Sequence, residues 1–136
     1  MKKYNVLIIA CLLIISAKAQ VSNYKVVFDM TSKDSVNQQS LIRELGLIRE
    51  SNPAAKLEVV LYGQGLDLVI KDRPMQPAVE RLLTDKDISF KVCAFAMKRN
   101  NIEKDRLLAG VQIVPDGIYE IILRQQEGWG YIKVAH

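Results

Sequence analysis

Histidine is nearly absent from this sequence. The only one among 136 residues is His136, the last. A Ser-His-Asp triad or a Cys-His pair needs an imidazole that the fold holds beside the nucleophile, and a chain terminus is a poor place for one. Cysteine is scarce as well: Cys11 and Cys93 are the only two. They form no Cys-x-x-Cys pair, which leaves thioredoxin-type dithiol chemistry without an anchor. One histidine and two distant cysteines do not make a metal cluster, so neither a metal site nor a cofactor is expected. The 15 Asp and Glu residues are scattered, with no pair that stands out as a glycosidase-type acid and base. No Gly-Lys-Ser/Thr follows the glycines of Tyr62-Gly63-Gln64-Gly65, so that turn is not a phosphate loop.

Long apolar runs are missing too. The longest, Val6 to Ile15, is ten residues, against the ~20 that a membrane-spanning helix needs. It follows Lys2 and Lys3 and precedes Ser16-Ala17-Lys18-Ala19, a small-residue cleavage pattern. That is the layout of a signal peptide cut after Ala19. The expectation is therefore a leader over residues 1–19 and a single domain over 20–136. The protein would be exported, periplasmic or secreted, with no stable membrane anchor after cleavage. Cys11 lies inside the apolar run, with Leu12 to Ile15 still to come, so it does not fit a lipoprotein acceptor.

The excess of positive charge shrinks on the same reading. The whole chain has 19 Lys+Arg against 15 Asp+Glu, or +4; Lys2, Lys3 and Lys18 leave with the leader and no acid does. The remaining 117 residues carry 16 cations against 15 anions. No basic arm or dense Lys/Arg run remains, which argues against nucleic-acid binding. Cys93 would be left alone and could not form an internal disulfide. A chain of this size buries roughly two-thirds of its unfolded surface, enough for a core without staples.

What is there is a regular alternation of element types. Tyr24 to Met30, Leu57 to Tyr62, Ile88 to Ala94, Val111 to Val114 and Tyr131 to Val134 are β-rich runs. Between the first two, Val36, Leu41, Leu45 and Ile48 recur at helical spacing, which predicts a helix over Ser35 to Glu50 after the turn residues Thr31 to Asp34. Leu66 to Ile70 and Asp105 to Leu108 read as short helical turns. Pro77 suits the first turn of a helix carrying Val79, Leu82 and Leu83. Phe95 to Asn100 looks helical, with Asn101 able to take a left-handed cap. Asp116 is placed to cap a helix containing Ile118, Ile121, Ile122 and Gln125, and Gly128 and Gly130 break it. Strand and helix alternate, so the expected fold is α/β: three layers, α/β/α, around a largely parallel five-stranded sheet.

Cys93 is the residue best placed for chemistry. It closes the predicted third strand just before a helix, the edge of an open α/β sheet where ligands bind. A helix start offers free N–H groups and partial positive charge, which favour a thiolate. Lys98 and Arg99, a turn further on, add positive field. The competing reading is a small buried hydrophobe among Val92, Ala94 and Phe95. Gly63, Gln64 and Gly65 also lie at a strand's C-terminal end, where a glycine backbone can approach a ligand or Cys93 closely, although a plain strand-to-helix turn would look the same. Candidate substrate-binding residues are thus Gly63, Gln64, Gly65, Lys98 and Arg99. A flavodoxin-like flavin site has no distinctive phosphate loop after strand one.

The segment Val92-Cys93-Ala94-Phe95-Ala96-Met97-Lys98-Arg99-Asn100-Asn101-Ile102 resembles the cysteine segment of the DsrE/DsrF/TusD family. There a strand ends in Val-Cys and a helix follows with Ala, a basic residue, a Gly-like cap and an aliphatic residue. Val60 to Leu66 resembles that family's glycine turn after strand two. Val114 to Glu120 and Gln126 to Lys133 resemble its C-terminal part. The resemblance runs from about Tyr24 to Val134, with Asn101 where a glycine is usual.

The resemblance implies a three-layer domain that assembles into homo-oligomers. It also implies a thiol, at Cys93, that carries persulfide sulfur between donor and acceptor thiols or partner proteins. Known relay members act in the cytoplasm, which an exported chain does not share. Two functions follow as expectations. One is a sulfur-handling protein with Cys93 as the persulfide-carrying thiol. The other is a non-enzymatic small-ligand-binding or oligomeric assembly module in which Cys93 is structural.

Overall fold

The computed structural model describes residues 23–134. The leader expected at residues 1–19, its cleavage site, Cys11 and His136 lie outside the described residues. Five strands make one sheet: β1 (Lys25–Met30), β2 (Lys56–Leu61), β3 (Ile88–Cys93), β4 (Gln112–Val114) and β5 (Gly130–Val134). Their order is β4-β3-β2-β1-β5, and every neighbouring pair is parallel. The helices are α1 (Ser35–Ser51), α2 (Gln76–Leu83), α3 (Ala94–Arg99) and α4 (Gly117–Gln126). Two 3-10 segments, Gly63–Val69 and Lys104–Arg106, complete the chain. The expected α/β class, the parallel sheet and the sequence of elements are all present.

Period-two alternation divides the sheet into two unlike faces. Val26, Phe28 and Met30 of β1 point the same way as Leu57, Val59 and Leu61 of β2 and Ile88, Phe90 and Val92 of β3. With Leu41, Leu45 and Ile48 of α1 and Val79 of α2 they form the main core. The opposite face has only a small apolar centre, Val27 and Val60 against Ile121 of α4. Its other inward positions are charged: Asp29, Glu58 and Lys91 are all buried. The three layers are therefore unequal, with α1, α2 and α3 on one side and α4 alone on the other.

Local chemistry sets the helix starts. The Asp34 carboxylate accepts from the Val36 and Asn37 amides at 2.9 and 3.2 Å, and the Asp116 carboxylate accepts from Ile118 and Tyr119 at 2.9 and 3.4 Å. Each satisfies amides that a helix N-terminus leaves unpaired. Pro77 sits in the first turn of α2. Asn101 adopts a left-handed φ of 52° after α3, the conformation expected of it.

Several element ends differ from the sequence reading, three of them most clearly. The third strand ends at Cys93, because Ala94 already belongs to α3. The turn after β2 begins at Gly63, not Leu66. β4 is only three residues long, held between Gly110, at φ 94°, and Pro115.

Candidate functional site

The chain reverses at Cys93 from the last residue of β3 to the cap position of α3. Its thiol makes no capping hydrogen bond, and the residue is 6% exposed. It points toward the α4 face of the sheet. A Cβ placed on Gly117 would lie 3.2 Å from both Cys93 Cβ and Val60 Cγ1, and 3.5 Å from Tyr62 Cδ1. Only a glycine lets the start of α4 approach this closely without displacing its neighbours.

Beside Cys93 lies a cavity of about 530 Å3 at the C-terminal ends of β2 and β3. Gly63, Gln64, Cys93 and Arg99, all anticipated as site residues, line it together. Gly65 and Lys98 do not. A Cβ on Gly65 would sit 2.1 Å from the Met30 carbonyl oxygen, so its role is a close backbone approach to the end of β1. Lys98 is exposed on α3 and lies outside the lining. The lining also includes Tyr62, Phe95, Asn100, Asp116 and Ile118, which sequence reasoning did not select as site residues. Asp116 was visible only as a cap.

Tyr62 is anchored from behind. Its hydroxyl donates to Asp29 Oδ2 at 3.1 Å, and the Tyr131 hydroxyl donates to the same oxygen at 2.7 Å. Lys133 Nζ donates to Asp29 Oδ1 and to Thr31 Oγ1, each at 3.0 Å, and lies 5.5 Å from the Tyr62 ring centroid. Burial and the Asp29 hydrogen bond push the Tyr62 phenol well above its ordinary value. The hydrogen bond to Asp29, with burial behind it, pushes Tyr131 up to about 12. Phenolates beside a carboxylate are disfavoured, so both rings stay protonated donors.

A second polar cluster fastens α4, which with its cap supplies Asp116 and Ile118 to the cavity. Lys91 Nζ donates to Glu58 Oε2 at 3.0 Å and to Glu120 Oε1 at 2.6 Å. Arg124 Nε reaches both Glu58 oxygens at 3.1 and 3.0 Å, while its other nitrogens pair with Glu120 and Glu127. The guanidinium carbon lies 5.2 Å from the Trp129 ring centroid. Burial dominates at Glu58 and raises its pKa against the pull of Lys91 and Arg124. At Glu120 burial also pushes upward, but Lys91, Glu58 and Arg124 together outweigh it and the pKa is lowered. Among the described residues, no buried side-chain N or O atom lacks a hydrogen-bond partner.

The whole described fold matches the model of one family. Residues 25–134 match the DsrE/DsrF-like family, and the chain belongs to it. Among solved structures, a protein of unknown function from Methanobacterium thermoautotrophicum, MTH1491, superposes with a TM-score of 0.78 at 29% identity. The match covers 82% of this chain and 99% of that one. The ychN protein of E. coli matches with a TM-score of 0.68 at 16% identity, over 82% of this chain and 98% of its own. A conserved protein of unknown function from Bacteroides thetaiotaomicron, BT1422, matches at 0.66 and 15%, over 86% of this chain and 100% of its own. At those two identities the likeness concerns the fold. No curated protein matches the chain.

Proposed function

We propose that this protein handles sulfur, with the Cys93 thiol as the atom that accepts and releases it. The observation that carries the reading is the position of Cys93: the last residue of a central-sheet strand, at the start of a helix, lining a cavity at the ligand-binding edge of the sheet. Membership of the DsrE/DsrF-like family supports it. In this reading the thiolate attacks a sulfane-sulfur donor, holds the sulfur as a persulfide and yields it to an acceptor thiol. Intact-mass measurement of the protein after polysulfide or thiosulfate, before and after reductant, tests it. A reducible sulfur adduct on wild type and none on Cys93→Ser is expected; no adduct, or an equal one on both, overturns the reading.

The burial of Cys93 favours a second reading, a binding or assembly module in which the thiol only packs. A thiol reagent separates the two: labelling of Cys93 only after denaturation favours the second. The proposal extends to a homo-oligomer. Exposed Phe95, Ile118, Tyr119 and Ile122 support it, being large apolar side chains grouped on α3 and α4 around the site. It extends also to export through the leader read at residues 1–19. Native mass tests the first and N-terminal sequencing of the cell-made protein tests the second.

A further inference from the structure

The cavity at Cys93 does not stand alone. A hollow of about 300 Å3 adjoins it and shares Gly63, Gln64 and Asn100 in its lining. Together they form a groove far larger than an inorganic sulfur anion needs, and of the size that small organic ligands occupy. The groove carries charge of both signs, but the two signs are not equally free. Asp116 commits its carboxylate to the amides of Ile118 and Tyr119. Asp67 pairs with Arg73 at 2.9 Å and accepts from Gln38 at 3.3 Å. Arg99 in the cavity and Lys33 in the hollow make no ion pair among the described residues. The uncommitted charge along the groove is therefore positive at both ends of the shared Gly63-Gln64 wall.

The geometry points to the substrate class: a small organic persulfide bearing carboxylates, its sulfur at Cys93 and its anionic groups at Arg99 and Lys33. The inference rests on the sulfur-handling reading and adds a donor to it. The step is an exchange at sulfur. The Cys93 thiolate attacks the outer sulfur of R–S–S–H, the Cys93 S–S bond forms, and the donor's S–S bond breaks. The electron pair leaves with R–S⁻, which takes a proton from solvent. No net oxidation or reduction occurs, and no co-reactant is needed.

The test compares glutathione persulfide with its diethyl ester, which keeps the peptide frame and removes both negative carboxylates. The rate of sulfur loading onto Cys93 is followed by mass spectrometry, with inorganic polysulfide as a third donor. The charged donor is expected to load about tenfold faster than the ester, the value of one charge-assisted hydrogen bond. Arg99→Gln, at an exposed position, should abolish most of that preference, Arg99→Lys should retain it, and Lys33→Gln should reduce it. Equal rates for the two organic donors, a preference unchanged in Arg99→Gln and Lys33→Gln, or loading from polysulfide alone each overturns the inference while the sulfur-accepting role of Cys93 stands. Failure of every donor, polysulfide included, overturns both.

Discussion

Gly117 and Cys93 face each other so closely that a single added methyl group would lie 3.2 Å from the cysteine's Cβ. The contact joins two elements with different duties: β3 ends in the thiol, and α4 provides part of the wall that encloses it. Gly117→Ala is compatible with the helical backbone and adds helix propensity, but its methyl also meets Val60, a residue of the small second core. Overpacking of this kind costs about 1–3 kcal/mol, and the propensity gain offsets at most ~1 kcal/mol of it. A net destabilisation in denaturant titration is expected, together with a changed rate of Cys93 alkylation under native conditions. Unchanged stability and unchanged alkylation would show that α4 does not bear on the thiol.

The attachment of α4 to the sheet is ionic where most helices are held by apolar contact. Lys91 and Glu58 are nearly sequestered, with side-chain exposures of 11% and 3%. Removing one partner leaves the rest as poorly compensated buried charge, which costs about 3–5 kcal/mol. Lys91→Met is expected to fall in that range in a denaturation experiment. Asp72→Asn, which breaks the exposed Arg106–Asp72 pair at 52% and 81% exposure, should change stability by less than ~1 kcal/mol. Similar losses from the two variants would show that burial does not set the worth of these pairs.

Asp29 governs the alkaline limit. The folded-state pKa of Tyr131 is raised from 10.0 to about 12, and that of Tyr62 is raised in the same sense. A raised value for a group that is neutral when protonated means stability present below its unfolded value and lost as the pH climbs through the folded one. Ultraviolet titration of the phenols should show two tyrosines ionising late, and stability should fall between about pH 10 and 12. In Asp29→Asn the carboxylate's repulsion is gone, so Tyr131 should ionise earlier. A late pair that persists in the variant would assign the shifts to burial instead.

Two glycines should respond to alanine in opposite directions. A Cβ on Gly65 would fall 2.1 Å from backbone oxygen, which no rotamer change relieves, whereas one on Gly46 in α1 meets nothing within 4 Å. Gly65→Ala is expected to cost more than about 3 kcal/mol or to prevent folding. Gly46→Ala is expected to add about 0.5–1 kcal/mol through helix propensity. Paired thermal melts check both signs.

The strands and helices were legible because their signals are local. Short β-rich runs mark β1 and β2, and Leu41, Leu45 and Ile48 mark the buried stripe of α1. Asp34 and Asp116 announce their helices within three residues. Cys93, Gly63, Gln64 and Arg99 could be placed at one site because parallel strands bring their C-terminal ends to a single edge. The polar clusters are long-range and were not legible. Glu58 meets an arginine 66 residues away, and Asp29 meets Lys133 at a separation of 104. Both pairings depend on strand order, which the alternation of elements leaves undetermined. Tyr62 escaped notice for the same reason: nothing near it in the chain reveals that Asp29 holds its hydroxyl.

The central claim, that Cys93 carries sulfur, is tested most directly by transfer. The native protein is loaded with polysulfide, freed of excess reagent and mixed with an acceptor thiol, and both partners are followed by mass spectrometry with the adduct mapped to its peptide. The expected result is a sulfur adduct on Cys93 that disappears as the acceptor gains a persulfide, with neither event in Cys93→Ser. An unloaded Cys93, or an adduct that persists in the presence of the acceptor, would contradict the account.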